Sequence, residues 1–549
     1  MERRIILFLV LSLGIIFAYP VFLEKFAPEI APPKQKTSPV SLKPEGAGAP
    51  ILPLQNQSSD TGASSSSQGT LPLQDISAPP KVALPAEKLK VIEGDLYRVV
   101  LSSRGGTIKE WTLKKYTTKD DKGVEKPIQL VSPSGKFAPL AVTVAGDDSF
   151  THQTYSLDET PIRLDKSKLT TVVVMSATTS NGRTLTKELT FYNDQYQADI
   201  RVKSNDIKTG YQVSLGSNFG ITDWARSFGG AIGSVSMING KVVSENPENT
   251  TTYETGATWS GLADTYYMSA FMPVSSASFP ISVQGISETE VAAAIKIAGD
   301  SSRDDKWILY AGPKEYDRLA SYNKYLEEAI DFGWFIFGSL LPVRLVAKPL
   351  FYVLRFIYSV TQNYGVAIIL LTIFVKILFH PITKKGLTSM KQMATLQPKV
   401  NAIREKWSDN KEKMNKELMS LYKDTGINPF GGCMPMLLQM PVFIALFNVL
   451  YVTIDLKGAP FMLWITDLSD KDPYYVLPII MGATMILQQM TQPNVMDPIQ
   501  AKIMLFMPVI YTFFFLSFPS GLVLYWLVNN SLSIAQQYWI NKQNAVTVT

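Results

Sequence analysis

Four apolar stretches in the last third of this 549-residue chain restrict its fold more than any other feature. They run from Val366 to Phe379, Met434 to Val452, Tyr474 to Leu487 and Ile503 to Val528, and none contains Asp or Glu. Backbone polar groups in a bilayer must satisfy one another, so such stretches are read as helices. Phe518-Pro519-Ser520-Gly521 interrupts the last stretch with a tight turn, which makes it two antiparallel helices. Another apolar run, Ile5 to Phe17, follows Arg3-Arg4 and extends through Leu23. Basic residues ahead of an apolar run hold that end in the cytoplasm. A cleavable signal peptide is the alternative, but no small-x-small cleavage site is evident, so the run reads as a signal anchor. The total is six transmembrane helices.

Charge tests this topology. Between Lys384 and Phe430 lie ten Lys/Arg and five Asp/Glu, a surplus equal to the +5 of the whole chain. Residues 455–472 carry four Asp and two Lys. The positive-inside rule places the first segment in the cytoplasm and the second outside. Both termini are then cytoplasmic.

The rest of the chain is of a different kind. Charged residues make up 18%, below the ~25% of soluble domains, yet the mean hydropathy of +0.07 is too low for an all-membrane protein. Residues 27–90 form a Pro- and Ser-rich linker that cannot bury enough apolar surface to fold. Residues 91–325 show short alternating runs such as Val99–Leu101, Thr171–Met175, Leu185–Phe191 and Ile281–Val283. Turn signals separate them at Arg104-Gly105-Gly106, Asn181-Gly182 and Asn239-Gly240, and Gly229, Gly230 and Gly233 read as a further turn. This segment is expected to be one all-β sandwich outside the cytoplasm. Residues 326–362 connect it to the membrane part and include an amphipathic interfacial helix over Leu350–Val360. A lone Cys433 and two distant histidines, His152 and His380, exclude an internal disulfide and argue against a zinc site, and no metal or other cofactor is expected.

Candidate functional residues are polar side chains in apolar surroundings. Lys376 lies in the middle of the stretch 366–379, where a charge costs ~2.5–3.5 kcal/mol on insertion scales. Thr372 precedes it by one turn on the same face. A water-filled cavity explains the pair, and snorkelling of Lys376 to the near membrane surface is the alternative. Tyr525, Asn529, Ser533 and Gln536 share one face of the last helix, with Trp526, Asn530 and Gln537 beside it. With Thr372, Lys376 and Gln439 they line a hydrophilic groove, or they glue helices together. The spans 366–379 and 474–487 have fourteen residues each, about 21 Å at 1.5 Å per residue, so the bilayer should thin locally. No acid lies in any span, which argues against a proton-coupled pump.

The cytoplasmic segment 384–427 reads as a helical hairpin with apolar residues at Met390, Met393, Leu396, Val400 and Ile403, then Met414, Leu418 and Leu421. Its outer face carries Lys391, Lys399, Arg404, Lys406, Lys411 and Lys413. That face suits ribosomal RNA or anionic headgroups, or is merely solvated.

Several motifs resemble the YidC/Oxa1/Alb3 family of membrane protein insertases. They are Asn363–Ile369, Pro381–Lys384, Ser389-Met390 with Leu396–Pro398, Asn428–Pro441 and Phe518–Trp526, with weaker likeness at Trp259–Gly261, Asp264–Tyr267 and Ala311–Lys314. The resemblance implies a β-supersandwich periplasmic domain, and a core of five transmembrane helices over 363–541 behind an N-terminal anchor at 1–26. It implies a non-enzymatic insertase and chaperone of the bacterial inner membrane, without catalytic residues. Its substrate groove opens to cytoplasm and lipid, with Lys376 where the family usually has Arg. Tyr525 and Trp526 match the family's aromatic substrate contacts. The implied partners are nascent membrane proteins, the Sec translocon and its accessory subunits, the ribosome or signal-recognition pathway, and membrane lipids. The tail 542–549 lacks the long basic extension of some members. A small-solute transporter and a periplasmic binding protein with a multispan anchor are the alternatives.

Overall fold

The structure is a computed structural model that describes residues 85–119, 124–144, 147, 149–224, 232–245, 249–274, 278–332, 343–426, 434–491 and 498–546. The expected anchor, and the linker as far as residue 84, lie outside the described residues.

Two sheets make the N-terminal domain. The smaller has five strands in the order 125–129, 107–119, 97–102, 89–93 and 162–163. Its first strand starts at Leu89, inside the segment read as linker. Gly105 and Gly106, with φ of 66° and 57°, turn the chain between strands 97–102 and 107–119, a backbone that favours glycine. The larger sheet runs 142–144, 211–217, 290–297, 279–287, 250–263, 267–273, 300–313, 197–207, 184–192 and 170–178, with the hairpin 233–245 paired to its long strand 250–263. Strand 184–192 alternates buried and half-buried residues, as expected where one face is covered. Strands Tyr211–Ser217 and Tyr267–Pro273 are buried at every residue, so both their faces are covered. Tyr97 stacks on Trp111 at 5.0 Å, and Trp111 reaches Phe191 of the larger sheet at 6.2 Å and Phe219, in the turn after its strand 211–217, at 6.1 Å. That aromatic cluster joins the two layers. Gly233 does not form a turn: it opens the strand Gly233–Ile238, while Gly229 and Gly230 lie outside the described residues.

Helices follow: α1 (Val343–Thr361), α2 (Tyr364–Thr395), α3 (Gln397–Lys406), α4 (Lys411–Asp424), α5 (Met434–Val452), α6 (Val476–Thr491), α7 (Pro498–Phe515) and α8 (Ser520–Val546). Helix α1 leaves Leu345, Phe356 and Val360 exposed on one side and buries Phe351 and Leu354 on the other. Helix α2 is long and apolar enough to cross a membrane by length and composition; the apolar stretches 439–452, 476–491 and 504–515 are shorter. A 16-residue helix such as α6 spans only about 24 Å. The first hairpin arm is continuous with the first apolar span, since α2 runs unbroken to Thr395 before a short break at Leu396. Lys384 and Lys385 therefore fall inside the helix and do not mark its end. Likewise α8 continues to Val546, five residues into the expected tail.

Candidate functional site

Helices α2 and α8 bring the predicted polar residues together. Lys376 is half-buried, and its Nζ donates to Ser533 Oγ at 2.8 Å. Ser533 Oγ in turn donates to the Asn529 carbonyl at 2.7 Å. One turn further along α2, Gln536 Nε2 and His380 Nδ1 pair at 2.9 Å. Two polar pairs, spaced one helical turn apart, therefore bridge the same two helices. An ammonium carries three donors, and a serine oxygen takes one of them. Among the described residues no Asp or Glu forms an ion pair with Lys376.

Other predicted groove residues are placed differently. Thr372 is 1% exposed, and its hydroxyl donates to the Ile368 carbonyl of its own helix at 2.6 Å. Tyr525 is 2% exposed, hydrogen-bonded to the Gln439 side chain and stacked with Phe443 at 6.2 Å. Both are buried, whereas Lys376, Gln439, Asn529 and Ser533 are half-buried. Trp526 is half-buried among Phe443, Phe515 and Tyr511, with centroids at 4.8, 4.7 and 6.0 Å. Gln537 Nε2 donates to the Thr491 carbonyl at 2.9 Å, and Thr491 Oγ1 donates back to Gln537 Oε1 at 3.2 Å. That second polar seam ties α8 to α6.

Sequence reasoning named Gln536 and Gln537 but missed their partners His380 and Thr491. Periodicity assigns a side chain to a face and does not say which helix covers that face.

In the hairpin, Lys399, Lys406 and Lys413 are exposed, and Lys391 and Arg404 are half-buried. Lys406 and Lys413 lie 5.5 and 5.0 Å from the centre of the Trp407 ring. The Lys411 side chain lies outside the described residues.

Stacked β layers joined to a bundle of short apolar helices, with a half-buried cation between two of them, define a multispan membrane protein with a large domain outside the bilayer. Residues 90–353 match the family described as the YidC periplasmic domain, and residues 356–547 the one described as the 60Kd inner membrane protein. The membrane protein insertase YidC of Geotalea daltonii is 37% identical over 562 residues, 99% of each chain. That of Oleidesulfovibrio alaskensis is 38% identical over 499 residues, 86% of this chain and 90% of its own. A solved structure of an active YidC insertase with its first transmembrane domain resolved covers 82% of this chain and 95% of its own, at a TM-score of 0.38 and 18% identity. The chain belongs to the YidC family of membrane protein insertases. Its sheets are the family's periplasmic domain, and its helices belong to a membrane protein.

Proposed function

We propose that this chain inserts proteins into the bacterial inner membrane and assists their folding, using Lys376 to hold the polar part of an incoming segment. The observation that carries this reading is the Lys376–Ser533 bridge. It keeps a cation at membrane depth, held by a neutral hydroxyl that leaves donors for a client carboxylate or carbonyl. Half-buried Asn529, whose carbonyl accepts from Ser533, and half-buried Gln439, bonded to Tyr525, extend the polar surface, and Trp526 borders it. The client's apolar helix then leaves sideways past Trp526 into lipid. Transfer of that helix into hydrocarbon, aided by the membrane potential, drives the step, so this chain makes and breaks no covalent bond.

Six crossings with both termini in the cytoplasm fit the charge distribution. The basic hairpin faces the cytoplasm, where Lys391, Lys399, Arg404, Lys406, Lys411 and Lys413 meet the ribosome or the signal-recognition pathway. The chain acts alone on small clients and with the Sec translocon on larger ones.

Vesicles holding the purified full chain test this reading. They should insert a short single-span client without ATP and without passing solute. Lys376→Ala should lower insertion of a client with an acidic translocated segment about ten-fold, the equivalent of one charge-assisted hydrogen bond of ~1.4 kcal/mol. Lys376→Arg should retain it. Vesicles that conduct solute and insert nothing would instead support the transporter.

A further inference from the structure

We propose that the open edge of the periplasmic domain's larger sheet, at residues 170–174, takes an extended segment of a client's translocated part as an added antiparallel strand. The segment it fits alternates β-branched residues and ends in acids. This rests on the reading above, that the chain assists the folding of the proteins it inserts.

Hydrogen bonds show that the edge is open. Strand 170–178 ends the larger sheet and pairs on one side only, with strand 184–192. The register runs from Thr170 opposite Tyr192 to Thr178 opposite Thr184 without a shift. Ser176 points the other way: its carbonyl accepts from the Ser156 amide at 2.8 Å, and its amide donates to Ser156 Oγ at 3.1 Å. Backbone direction repeats every second residue, so Thr170, Val172 and Val174 present their amides and carbonyls to that same outer side. Among the described residues these groups have no hydrogen-bond partner. Val172 and Val174 are also 57% and 51% exposed.

The other terminal strands are protected. Strand 142–144 has three residues, all buried, and strand 162–163 has two. Strand 125–129 carries Glu125, Lys126 and Pro127, and strand 241–245 is bounded by Lys241 and Glu245. Short length, charge and proline keep a sheet edge from pairing with another chain. Strand 170–178 has nine residues and none of these guards, and no charge occurs from Leu169 to Gly182. A pairing surface left open in this way suits strand addition by an extended peptide. Its surroundings set the peptide's chemistry. On the outer face Val172 lies opposite Thr190, and Val174 lies opposite Glu188, whose carboxylate is taken by Arg201 and Lys203. Side chains of an added strand on that face therefore meet the two valines, which favours β-branched partners. Lys166 and Lys168 are exposed just before the strand and form no ion pair among the described residues. An antiparallel partner brings its C-terminal end to them, so acids placed there find free cations. A second copy of this strand fits less well. Paired about Val172, its Lys168 would fall opposite Ser176, which Ser156 already covers.

The test uses the purified full chain in detergent and a short fluorescent peptide of alternating threonine and valine that ends in two glutamates. The expected result is saturable binding, slowed hydrogen exchange at residues 170–174, and a preference over the same peptide ending in two lysines. Val172→Pro should weaken binding about ten-fold. It should leave the unfolding temperature of the chain unchanged, because the amide it removes bonds to nothing in the sheet. Val174→Lys, a charge of the kind that guards the other edges, should weaken binding likewise, while Val172→Thr should keep it. Lys166→Glu with Lys168→Glu should turn the preference toward the lysine-ended peptide. No binding by the parent, equal binding by the parent and both weakened variants, or equal binding of the two peptides would overturn the proposal. So would protection of residues 170–174 that rises with protein concentration and needs no peptide, the mark of a second copy on the edge. Peptide binding is read without an insertion step, so its failure leaves the Lys376 reading untouched.

Discussion

Lys187 is wholly buried in the periplasmic domain, and its Nζ donates to the carbonyls of Gly105, Gly106 and Leu140 at 2.7, 3.0 and 2.6 Å. The Tyr155 ring covers it at 4.5 Å. The ammonium thus ties the glycine turn of the small sheet to a strand of the large one. Burial pushes Lys187 down to about 7 from 10.5, and the buried Lys314 down to about 8. A lowered folded-state value means that the unfolded chain binds more protons between about 7 and 10.5, so this domain gains stability as pH rises through that window. Thermal unfolding of the full chain from neutral to alkaline pH should show the rise. Lys187→Met should reduce it to the share of Lys314 while lowering stability throughout, because three buried carbonyls lose their donor. A parent protein with no gain above neutral pH would refute the assignment. The alternation of strand 184–192 does place residue 187 on its inward side, but no sequence pattern names the carbonyls it meets. Lys376 was legible for the opposite reason: the single charge in an otherwise uncharged, mostly apolar run stands out without any knowledge of its neighbours.

The start of α2 shows how one element positions the rest. Asn363 caps the helix by accepting from the Val366 amide at 3.1 Å, and its Nδ2 donates to the Phe461 carbonyl at 2.9 Å. Two residues on, a Cβ on Gly365 would come within 2.0 Å of the Phe461 ring. The loop after α5 therefore docks on the N-terminal end of α2 through a side-chain bond to its Phe461 carbonyl and a ring seated over a residue with no side chain. Asn363→Ala should destabilise the fold by about 1 kcal/mol through the cap alone, and by more with the loss of the Phe461 bond. Gly365→Val should displace Phe461 and expose the loop 455–472 to added protease, while parental cleavage rates in both variants would rule out this docking. Asn363-Tyr364-Gly365 was legible as a break, and Phe518–Gly521 as a turn, because both act locally. The acids of 455–472 were read for topology only. Asp472, fully buried, also accepts from the Trp464 indole at 3.0 Å and from the Leu477 amide at 2.7 Å, which caps α6. A capping role four residues ahead of a helix depends on a loop path that spacing does not reveal.

At the scale of the molecule, the periplasmic domain is clasped to α1. Arg355 forms two hydrogen bonds to the Asp317 carboxylate, one at 2.7 Å, and Lys348 reaches Glu328 at 2.5 Å. The hydroxyls of Tyr316 and Tyr352 meet between those pairs at 2.5 Å. In both ion pairs the membrane-side helix supplies the cation and the segment leaving the periplasmic domain supplies the anion. Single exposed pairs contribute ~0–1 kcal/mol, but a bidentate pair inside a network couples its members more strongly. Arg355→Asp should therefore speed proteolytic cutting between the domain and α1. Asp317→Arg added to it should restore the parental rate, because the pair is rebuilt with its signs exchanged. A double variant as open as the single would show that the clasp owes nothing to charge. The clasp also lies far from the candidate site. Lys376 is twelve residues along α2 from Tyr364, about 18 Å of helix away. Arg355 stands beside the N-terminal end of that helix, close enough for its charge to act on Tyr364 and Asp455. In the reading proposed above, a client held at Lys376 enters from the side away from the periplasmic domain. Removing residues 91–325, which takes away Asp317 and Tyr316 with the sheets, should leave insertion by the membrane part largely intact in reconstituted vesicles. Lys376→Ala in that shortened chain should then lower it as much as in the full chain. Loss of insertion on deletion, at normal protein levels, would mean that the periplasmic domain takes part in the step itself, and would move the active surface to the outer side.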